Sequence, residues 1–493
     1  MKAINSQIRK KIYRYFKNRL GEETTRKLQY LPFTISNKVR KPPFIKVSHC
    51  CCIYKKGIFI NGWMITGSKI INSIQIEFSA KKIIRIDKNM VRIPRSDIQS
   101  KYGLSKGSLP GFIAFVSFSD LSDDVVPEHA VNRARIKVKF EDGTIRRKSI
   151  SVSHATKDPL TSIKRILGAV PSSFDQKKQC FDNVYGPAIE KIWSLRSTTF
   201  VDSEYIKYNE YLSIDKPVVS LIIPIYGRYD FMEYQLCQFV NDVDMFNHEI
   251  IYVIDDPRIL SEVKTVCDVY NKLYKIPFNV LYLQENCGFA GANNKGVDQA
   301  TGKYVLMLNS DVMPSETGWL SNLLESSVNV IDNSLIGVRL LYEDESIQHD
   351  GMRFYKSPFL NDLWTNTHPG KGLPSNIVKT ESHLTDVEAI TGACVFLTLE
   401  NYIKLDGLDE NYILGDYEDS DLCLKAREQG LSIILNRSTQ LYHLERQSQS
   451  LVTSDMWKQE LTYYNCWYHS RRWGNNIDTL KQVNFESEPS SVA

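Results

Sequence analysis

The sequence has few features of membrane, secreted or zinc-binding proteins. Its 493 residues contain no apolar run that approaches the roughly 18–20 residues of a membrane-spanning helix. The first residues lack the apolar core and small-residue cleavage site of a secretory signal, so we expect the protein to stay in the cytoplasm where it is made. None of the ten cysteines has CxxC spacing, which argues against a zinc site and favours buried thiols in a reducing compartment.

The sequence also lacks internal repeats and low-complexity tracts, which excludes fibrous and solenoid architectures. Hydrophobic residues make up 42% of the chain and aromatic residues 11%, as expected of a globular protein rather than a disordered one. At roughly 150 residues per domain, the length predicts about three domains or subdomains.

Positive charge is concentrated at the N-terminus. The net charge is only +4, but residues 1–41 contain twelve Lys and Arg against two Glu. Apolar residues recur every four positions from Ile4 to Leu20, which predicts a basic amphipathic arm over residues 1–43. Such a helix binds an anionic membrane surface, here the inner face of the cell membrane, or packs on the body of the protein or on a partner. No recognition motif for nucleic acid is present.

Residues 44–158 are predicted to form a small β-rich, sandwich-like accessory domain. Short runs of β-branched and aromatic residues recur there, and Arg133–Phe140 alternates polar with apolar residues. Asp142 and Gly143 follow as a strong hairpin-turn pair. No catalytic constellation is visible, so we expect a structural or docking module. Residues 159–215 lack the alternation and are predicted to be a mostly helical connector.

Residues 216–450 have a different pattern, which predicts alternating strands and helices. Continuous apolar runs at 218–225, 249–254, 278–283 and 304–308 indicate strands covered on both faces. The sequence therefore predicts an α/β, Rossmann-like domain with a mostly parallel sheet, followed by a helical extension and tail at residues 451–493.

Polar residues follow three of these strands, where open parallel sheets bind their ligands. Asp255 and Asp256 follow the second strand, Asn286 and Gly288 the third, and the pair Asn309 and Asp311 the fourth. Each alone is as well explained by helix capping as by a ligand contact. The glycine-rich stretch 286–296 opens a helix whose N–H groups suit an anion.

An acidic cluster lies further along the chain. Four acidic residues lie within six positions at a predicted helix start: Asp416, Glu418, Asp419 and Asp421. This is more negative charge than favourable interaction with a helix dipole requires. At least one of them is a candidate general base or metal-facing group. His443, after the strand-like run 432–435, is either structural or a metal ligand.

In this order, the motifs resemble the family 2 inverting glycosyltransferases of the GT-A fold, over about residues 218–450. The likeness is closest to the bacterial branch with rhamnosyltransferase-like enzymes of cell-surface polysaccharide synthesis. It rests on the opening strand 220–226, the two adjacent aspartates, the stretch 286–296, the DxD position 308–312, the segments 391–393, 407–410 and 418–427, and His443. Residues 348–351 also resemble a family segment, and 61–63 weakly resemble modules that precede such enzymes.

The resemblance implies a site and a mechanism. A nucleotide-diphosphate sugar is the donor, and a glycan or lipid-linked hydroxyl is the acceptor. Mn²⁺ or Mg²⁺ is held by Asp311, with His443 assisting, and Asp419 takes the acceptor proton. Residues expected on the acceptor side are Glu418, Asp421, Gly392 and Asp409. Residues expected to bind the nucleotide sugar are Pro224, Tyr226, Asp255, Asp256, Asn286, Gly288, Asn294, Asn309 and Asp311.

Two departures from the family pattern keep alternatives open. The DxD position reads Asn309, Ser310, Asp311, with one carboxylate, and the aspartate pair continues into Pro257 rather than Gly or Ser. The single carboxylate at the DxD position favours a noncatalytic glycan-binding or scaffold protein with a degenerate core. A nucleotidyltransferase, which would release pyrophosphate, is a third hypothesis. The donor sugar, the base, the acceptor, the linkage and the oligomeric state are not encoded in recognisable motifs.

Overall fold

The computed structural model describes nine stretches of the chain, and statements about structure refer to them. They are residues 43–53, 56–78, 82–121, 132–155, 159–171, 174–196, 202–378, 382–444 and 456–487. Residues 1–42 of the predicted basic arm lie outside them, so the arm remains a prediction. In these stretches, no helix combines the length and the apolar character needed to cross a membrane.

Residues 44–154 form the accessory module, a sandwich of two β-sheets. Its elements are β1 (Phe44–Ile53), β2 (Gly57–Ile65), β3 (Ile71–Glu77), β4 (Ile83–Arg85), β5 (Met90–Ile93), α1 (Ser96–Tyr102), β6 (Gly111–Ser117), β7 (Arg133–Phe140), β8 (Ile145–Ser151) and β9 (Ser153–His154). One sheet has the order β5-β6-β2-β1-β9 and the other β4-β3-β7-β8. Side chains from both sheets, among them Ile60, Phe112, Ile76 and Ile136, share one core. The sandwich-like fold expected here is present.

The connector begins with helices that cover the outer face of the five-stranded sheet. They are α2 (Pro159–Leu167), α3 (Lys177–Cys180) and α4 (Gly186–Trp193), with a π-helical turn at Phe181–Tyr185 between the last two. Phe59 and Phe115 of the sheet pack with Ile189 and other helical residues in a second core. The five-stranded sheet is therefore covered on both faces.

The remaining residues form the α/β domain and a long C-terminal helix. Its strands are β10 (Ser203–Tyr208), β11 (Val219–Ile225), β12 (Glu249–Ile254), β13 (Phe278–Leu283), β14 (Tyr304–Leu308), β15 (Val312–Pro314), β16 (Ser334–Leu341), β17 (Ile347–His349), β18 (Arg353–Ser357), β19 (Leu363–Thr367), β20 (Leu384–Asp386), β21 (Cys394–Thr398) and β22 (Ser432–His443). Its helices are α5 (Asp230–Phe239), α6 (Leu260–Leu273), α7 (Gly288–Val297), α8 (Trp319–Ser327), α9 (Leu399–Lys404), α10 (Glu418–Glu428) and α11 (Met456–Ser487).

The α/β fold predicted from the sequence is confirmed. The large sheet has the order β10-β13-β12-β11-β14-β21-β16-β22-β15, with β17 on β16 and β20 on β22. The four strands β13-β12-β11-β14 are parallel, in the 3-2-1-4 order of a Rossmann half. Beyond β14 the sheet is mixed, because β21 runs antiparallel to both β14 and β16.

Two local predictions differ from the structure. The helical prediction for the connector is wrong at Ser203–Tyr208, which forms β10 and pairs antiparallel with the edge strand β13. The local sequence pattern does not predict a strand there. Pairing with β13 decides the structure, because Tyr208 packs its ring against Phe278. The sequence pattern predicts a helix over residues 293–300, but helix α7 begins at Gly288, five residues earlier, because Asn286 accepts a hydrogen bond from the Gly288 N–H (2.9 Å).

The C-terminal helix α11 joins the connector to the α/β domain. Trp467 packs against Gly186, where a Cβ atom would lie 2.1 Å from the indole ring, so glycine is required there. The Trp467 indole N–H also donates to Asp182 (2.7 Å). On the other side, Asn465 accepts from the Ile413 N–H (3.1 Å). The helix therefore fixes the segment that precedes the acidic cluster.

Candidate active site

The candidate site lies at the carboxyl ends of β11, β12 and β14. Pro224 is within β11 and Tyr226 directly follows it, with 40% of the Tyr226 side chain exposed. Because β11 pairs with β12 on one side and β14 on the other, residues after these strands meet around the point where strand order reverses. This is where an open α/β sheet offers a crevice.

Asp255 and Asp256 have different surroundings, which the sequence alone did not show. Asp255 is buried and accepts from the Cys287 N–H (2.6 Å), so it ties β12 to the start of α7. Burial raises the pKa of Asp255 well above its usual value. Asp256 forms a two-pronged ion pair with Arg258 (2.7 and 2.6 Å). Although burial opposes it, the Arg258 hydrogen bonds hold the pKa of Asp256 below its usual value.

The Arg258 guanidinium also lies 5.3 Å from the centre of the Tyr226 ring. Arg258 itself is largely exposed, so the pair forms a half-open aromatic and cationic wall beside Asp256. A planar base can stack on such a wall.

Asn286, Gly288 and Asn294 shape the turn into α7. Gly288 has φ of +74°, and a Cβ there would lie 3.0 Å from the Leu414 Cα, so only glycine fits easily. The Asn294 amide donates to Leu408 O (2.9 Å) and accepts from the Tyr402 hydroxyl (2.6 Å). Its side chain is thus engaged by protein groups, and its contribution to a nucleotide site would be positional.

Asp311 and His443 lie together, as the resemblance implies. The His443 Nε2 is 3.3 Å from the Asp311 Oδ1, and both side chains are buried. Strand pairing causes this, because Val312 of β15 is opposite His443 of β22. Within the described residues, the buried His443 Nδ1 and Asn309 Oδ1 have no hydrogen-bond partner.

These donors fit a divalent cation only in part. A carboxylate oxygen, an imidazole nitrogen and an unpartnered amide oxygen are ligand types that Mn²⁺ accepts, and the oxygens also suit Mg²⁺. No cluster of three or more His, Cys, Asp or Glu side chains suited to a metal occurs among the described residues. A cation would therefore need further ligands from outside the protein, as a donor diphosphate provides.

Asp419 sits at the start of α10 against the 391–393 loop. Its Oδ2 accepts from the Gly392 N–H (2.9 Å) and its Oδ1 from the Ser420 N–H (2.7 Å). Gly392 permits this approach, since a Cβ there would be 3.2 Å from the Phe289 ring and 3.4 Å from the Asp419 Cβ. Burial raises the pKa of Asp419 above its usual value, although the Gly392 and Ser420 hydrogen bonds oppose the shift.

The two halves of the site are linked by one backbone contact. The Asn309 N–H donates to Ala393 O (2.9 Å), and Ala393 follows Gly392, which holds Asp419. The pairing of Leu308 with Cys394 sets this register. The turn after β14, which contains Asp311, is therefore fixed beside the 391–393 loop, which holds Asp419.

Glu418 is buried, and its Oε2 has no hydrogen-bond partner in the described stretches. Burial raises its pKa well above the usual value, and the charge of Asp419 adds to this. An unpartnered buried carboxyl is held in its neutral form. Glu418 is therefore suited to stay neutral beside Asp419 rather than to carry a charge.

Asp421 and Asp409 belong to a network that docks α11. The Asp421 Oδ1 accepts from the Trp473 indole N–H (2.6 Å) and the Tyr412 hydroxyl (3.2 Å), with no exposed surface. Asp409 accepts from the Tyr468 hydroxyl (3.1 Å) and forms an ion pair with Arg472. The Asp421 Oδ2 has no hydrogen-bond partner in the described stretches and lies 3.7 Å from the Lys425 Nζ. Because both carboxylates hold residues of α11, they support the site from behind.

The 348–351 segment, for which no role was predicted, positions the 391–393 loop. The buried His349 Nε2 lies 3.3 Å from the Gly351 N and 3.5 Å from the Thr391 N, while its Nδ1 is 3.0 Å from the His368 Nδ1. Burial lowers the pKa of His349 well below its usual value. Asp350 pairs with both Arg339 (2.9 Å) and Arg437 (2.8 Å). The roles of His349 and Asp350 could not be predicted from the sequence, because most of their partners are distant in the chain.

The backbone before α10 is unusual. Leu414, Asp416 and Tyr417 have φ of 65°, 81° and 76°, which side chains other than glycine rarely adopt. Each such residue costs on the order of 1–3 kcal/mol and persists only where surrounding contacts impose it. Here Asn465 of α11 and the Thr462 hydroxyl, which donates to Asp416 (2.7 Å), supply those contacts.

A cavity of about 430 Å³ lies beside this backbone, between α3, α11 and residues 358–361. Tyr417 lines it, together with a buried ion pair between Lys177 and Glu460 (2.7 Å). None of the predicted site residues lines this cavity, so it is separate from the crevice described above.

Comparison with known proteins adds a family match. Residues 220–366 match the family model described as Glycosyl transferase family 2. Over 262 residues, the chain is 26% identical to the O-antigen biosynthesis protein RfbC of Myxococcus xanthus, covering 50% of this chain and 19% of that protein. The chain spans between 19% and 36% of the length of the curated relatives it matches.

Solved structures also align with the chain at low identity. A mannosyltransferase from Pyrobaculum calidifontis, PcManGT, in complex with GDP-Man and Mn²⁺, is 14% identical with a TM-score of 0.35, covering 67% of this chain and 88% of that one. GalNAc-T7 with UDP, GalNAc and Mn²⁺ is 13% identical with a TM-score of 0.38, covering 53% and 50%.

Proposed function

We propose that this protein is a metal-dependent, inverting glycosyltransferase, because residues 220–366 match the family model described as Glycosyl transferase family 2. It moves a sugar from a nucleotide-diphosphate sugar to a hydroxyl of a glycan or lipid-linked acceptor. The pathway is the synthesis of a bacterial cell-surface polysaccharide, the process that the name of RfbC describes. The observation that carries the proposal is the contact between Asn309 and Ala393, which places the Asp311–His443 pair beside the loop that holds Asp419.

The donor would lie in the crevice between β11 and β14. The exposed Tyr226 ring and Arg258 offer a surface for the base, and the buried Asp256 carboxylate fixes Arg258. The diphosphate would face the start of α7, where helix N–H groups favour anions. Asp311 and His443, with the Asn309 amide oxygen, would hold Mn²⁺ or Mg²⁺. A divalent cation there neutralises charge on the departing diphosphate.

Asp419 would act as the general base. Its two backbone hydrogen bonds fix the carboxylate, and its raised pKa makes it a better proton acceptor than an exposed aspartate. The acceptor oxygen bonds to the anomeric carbon, the bond from that carbon to the diphosphate oxygen breaks, and the hydroxyl proton passes to Asp419. A single displacement inverts the anomeric configuration.

Thermal unfolding in the presence of nucleotides tests the proposal first. UDP, TDP, GDP and CDP are added separately, each with and without Mn²⁺ or Mg²⁺. A ligand at 100 times its dissociation constant stabilises the folded state by about 2.7 kcal/mol, which corresponds to roughly 2–4 °C here. A metal-dependent shift with one nucleotide is the expected result and identifies the donor class.

The other hypotheses predict different results. No shift with any nucleotide contradicts the proposal and favours a noncatalytic glycan-binding or scaffold protein with a degenerate core. Release of pyrophosphate rather than a nucleoside diphosphate would indicate a nucleotidyltransferase.

The arm at residues 1–41 is proposed to bind the anionic inner face of the cell membrane, where lipid-linked acceptors would be reached. Unchanged vesicle binding after deletion of residues 1–41 contradicts this role of the arm.

A further inference from the structure

Positive charge is concentrated in the accessory module as well as in the arm. Residues 43–155 contain 19 Lys and Arg against nine Asp and Glu. Residues 156–493 contain 30 Lys and Arg against 46 Asp and Glu. The module is thus strongly basic and the rest of the folded chain strongly acidic, a separation that the net charge of +4 conceals.

The structure gathers much of this charge on one face of one sheet. Along β7, Ala134, Ile136, Val138 and Phe140 are buried in the sandwich core, so the alternate residues point outward. Strand pairing adds Arg147 of β8, opposite Lys137, and Arg85 of β4, opposite Gln75. We name this surface the basic sheet face; its cations are Arg85, Arg133, Arg135, Lys137, Lys139 and Arg147.

Among the described residues, two acids neutralise part of the basic sheet face. Glu77 pairs with Lys137 (3.2 Å) and lies 3.9 Å from Arg147, while Asp87 pairs with Arg85 (2.9 Å). The three remaining cations, Arg133, Arg135 and Lys139, are exposed and form no ion pair in the part of the chain that the structure describes. These three like charges lie on one face of one strand and repel one another, so the surface gains from an anionic partner.

The shape and composition of this surface favour a planar partner. Four strands about 4.8 Å apart give a face roughly 15 Å wide, and eight residues of β7 give roughly 25 Å of length. The residues opposite the β7 cations are Ser73, Gln75, Glu77, Ile145, Arg147, Ser149 and Ser151, with no aromatic side chain among them. Single-stranded nucleic acids bind chiefly by stacking on aromatic rings, which this face does not offer.

We propose that the basic sheet face binds an anionic lipid bilayer and is a membrane-contact surface separate from the N-terminal arm. Each Lys or Arg close to an anionic leaflet strengthens binding by about fivefold. The three unpaired cations therefore contribute about 100-fold. The acidic excess of residues 156–493 is repelled by the same leaflet, so the charge separation orients the protein with its accessory module towards the lipid.

Vesicle binding of the full chain tests the proposal. The probes are vesicles of phosphatidylcholine mixed with phosphatidylglycerol, and vesicles of phosphatidylcholine alone. Three triple variants remove the same amount of charge: R133Q/R135Q/K139Q on the basic sheet face, K10Q/K11Q/R14Q in the arm, and K207Q/K272Q/K404Q as the control in the acidic part. Circular dichroism and thermal unfolding verify that each variant is folded.

We expect the sheet variant to bind the anionic vesicles about 100-fold more weakly than the unmodified protein, and the control to bind nearly unchanged. Binding should fall steeply with salt, because the cations are exposed. A sheet variant that binds as well as the control overturns the proposal, even if the arm variant is defective. Inorganic polyphosphate serves as a soluble polyanion: its capture by a protein that ignores the vesicles also overturns the membrane assignment.

Discussion

The Nε2 atom of His443 lies 3.3 Å from the Oδ1 atom of Asp311, although the two residues are far apart in the chain. The short strand β15 follows Asp311 and pairs with the end of β22, where His443 sits. The Leu444 N–H then donates to Asp311 O (3.1 Å), which fixes both backbones. Two donor atoms are thereby held side by side at the end of the crevice.

We expect D311N and H443Q each to abolish most of the metal-dependent stabilisation by nucleotide. Loss of one of so few protein donors should weaken metal-dependent binding by at least about 100-fold. At a fixed nucleotide concentration, the stabilisation would fall from about 2.7 to about 0.4 kcal/mol. Thermal unfolding with and without Mn²⁺ measures this. H383Q, at an exposed histidine, is the control. A full Mn²⁺-dependent shift in D311N would exclude this pair as the metal site.

We expect D419N to lower the rate of sugar transfer by about 10² to 10⁴-fold, because the base is lost. Nucleotide binding should persist, since the asparagine oxygen can still accept from the Gly392 N–H. In the unmodified enzyme, activity should rise with pH through the raised pKa of Asp419, because only its ionised form accepts a proton. D406N, at an exposed aspartate, is the control. Transfer by D419N within tenfold of the unmodified rate would remove Asp419 from this role.

We expect E418Q to raise the free energy of unfolding at neutral pH. Because burial raises the folded-state pKa of Glu418, its neutral form favours folding below pH 4.5, the ordinary value. That contribution is lost as pH rises through the folded-state pKa, where the buried carboxyl must ionise. Glutamine stays neutral, so the variant's stability should fall less with pH. Denaturant unfolding across this range measures both proteins.

The control for this prediction is E428Q, which changes an exposed glutamate on the same helix, α10. Its stability should follow the unmodified protein at every pH. Some pH dependence should remain in E418Q, since burial also raises the pKa of Asp255. Parallel stability curves for E418Q and the unmodified protein would show that Glu418 does not titrate in this range.

We expect K177M to destabilise the protein by about 3–5 kcal/mol, because it leaves the Glu460 carboxylate buried without its partner. The double variant K177M/E460L should recover most of that loss. K178M breaks the neighbouring exposed pair with Asp182 (3.0 Å) and should cost about 0–1 kcal/mol. Denaturant unfolding compares the three. Equal effects of K177M and K178M would mean that the Lys177–Glu460 pair does not join α3 to α11.

Sequence patterns predicted the strands of the α/β domain closely. The apolar runs at 249–254, 278–283 and 304–308 coincide with β12, β13 and β14. Hydrophobic periodicity is a local property of the sequence, so it can be recognised without knowledge of the fold. Strand β10 was missed, because its residues become a strand only by pairing with β13. The site residues were selected by resemblance, and the structure brings Asp311 to His443 and Asp419 to Gly392.

The sequence by itself determined the order of the first strands and helices of the α/β domain, the basic composition of residues 1–41 and the acidic cluster at the start of α10. These follow from residue spacing and charge along short segments. Only the tertiary structure decided that Asp421 docks α11, that His349 faces the Thr391 N–H, and that the cations of β7 share an exposed face. Such contacts join distant segments. They are selected by the burial and pairing of the whole chain, which no short stretch of sequence specifies.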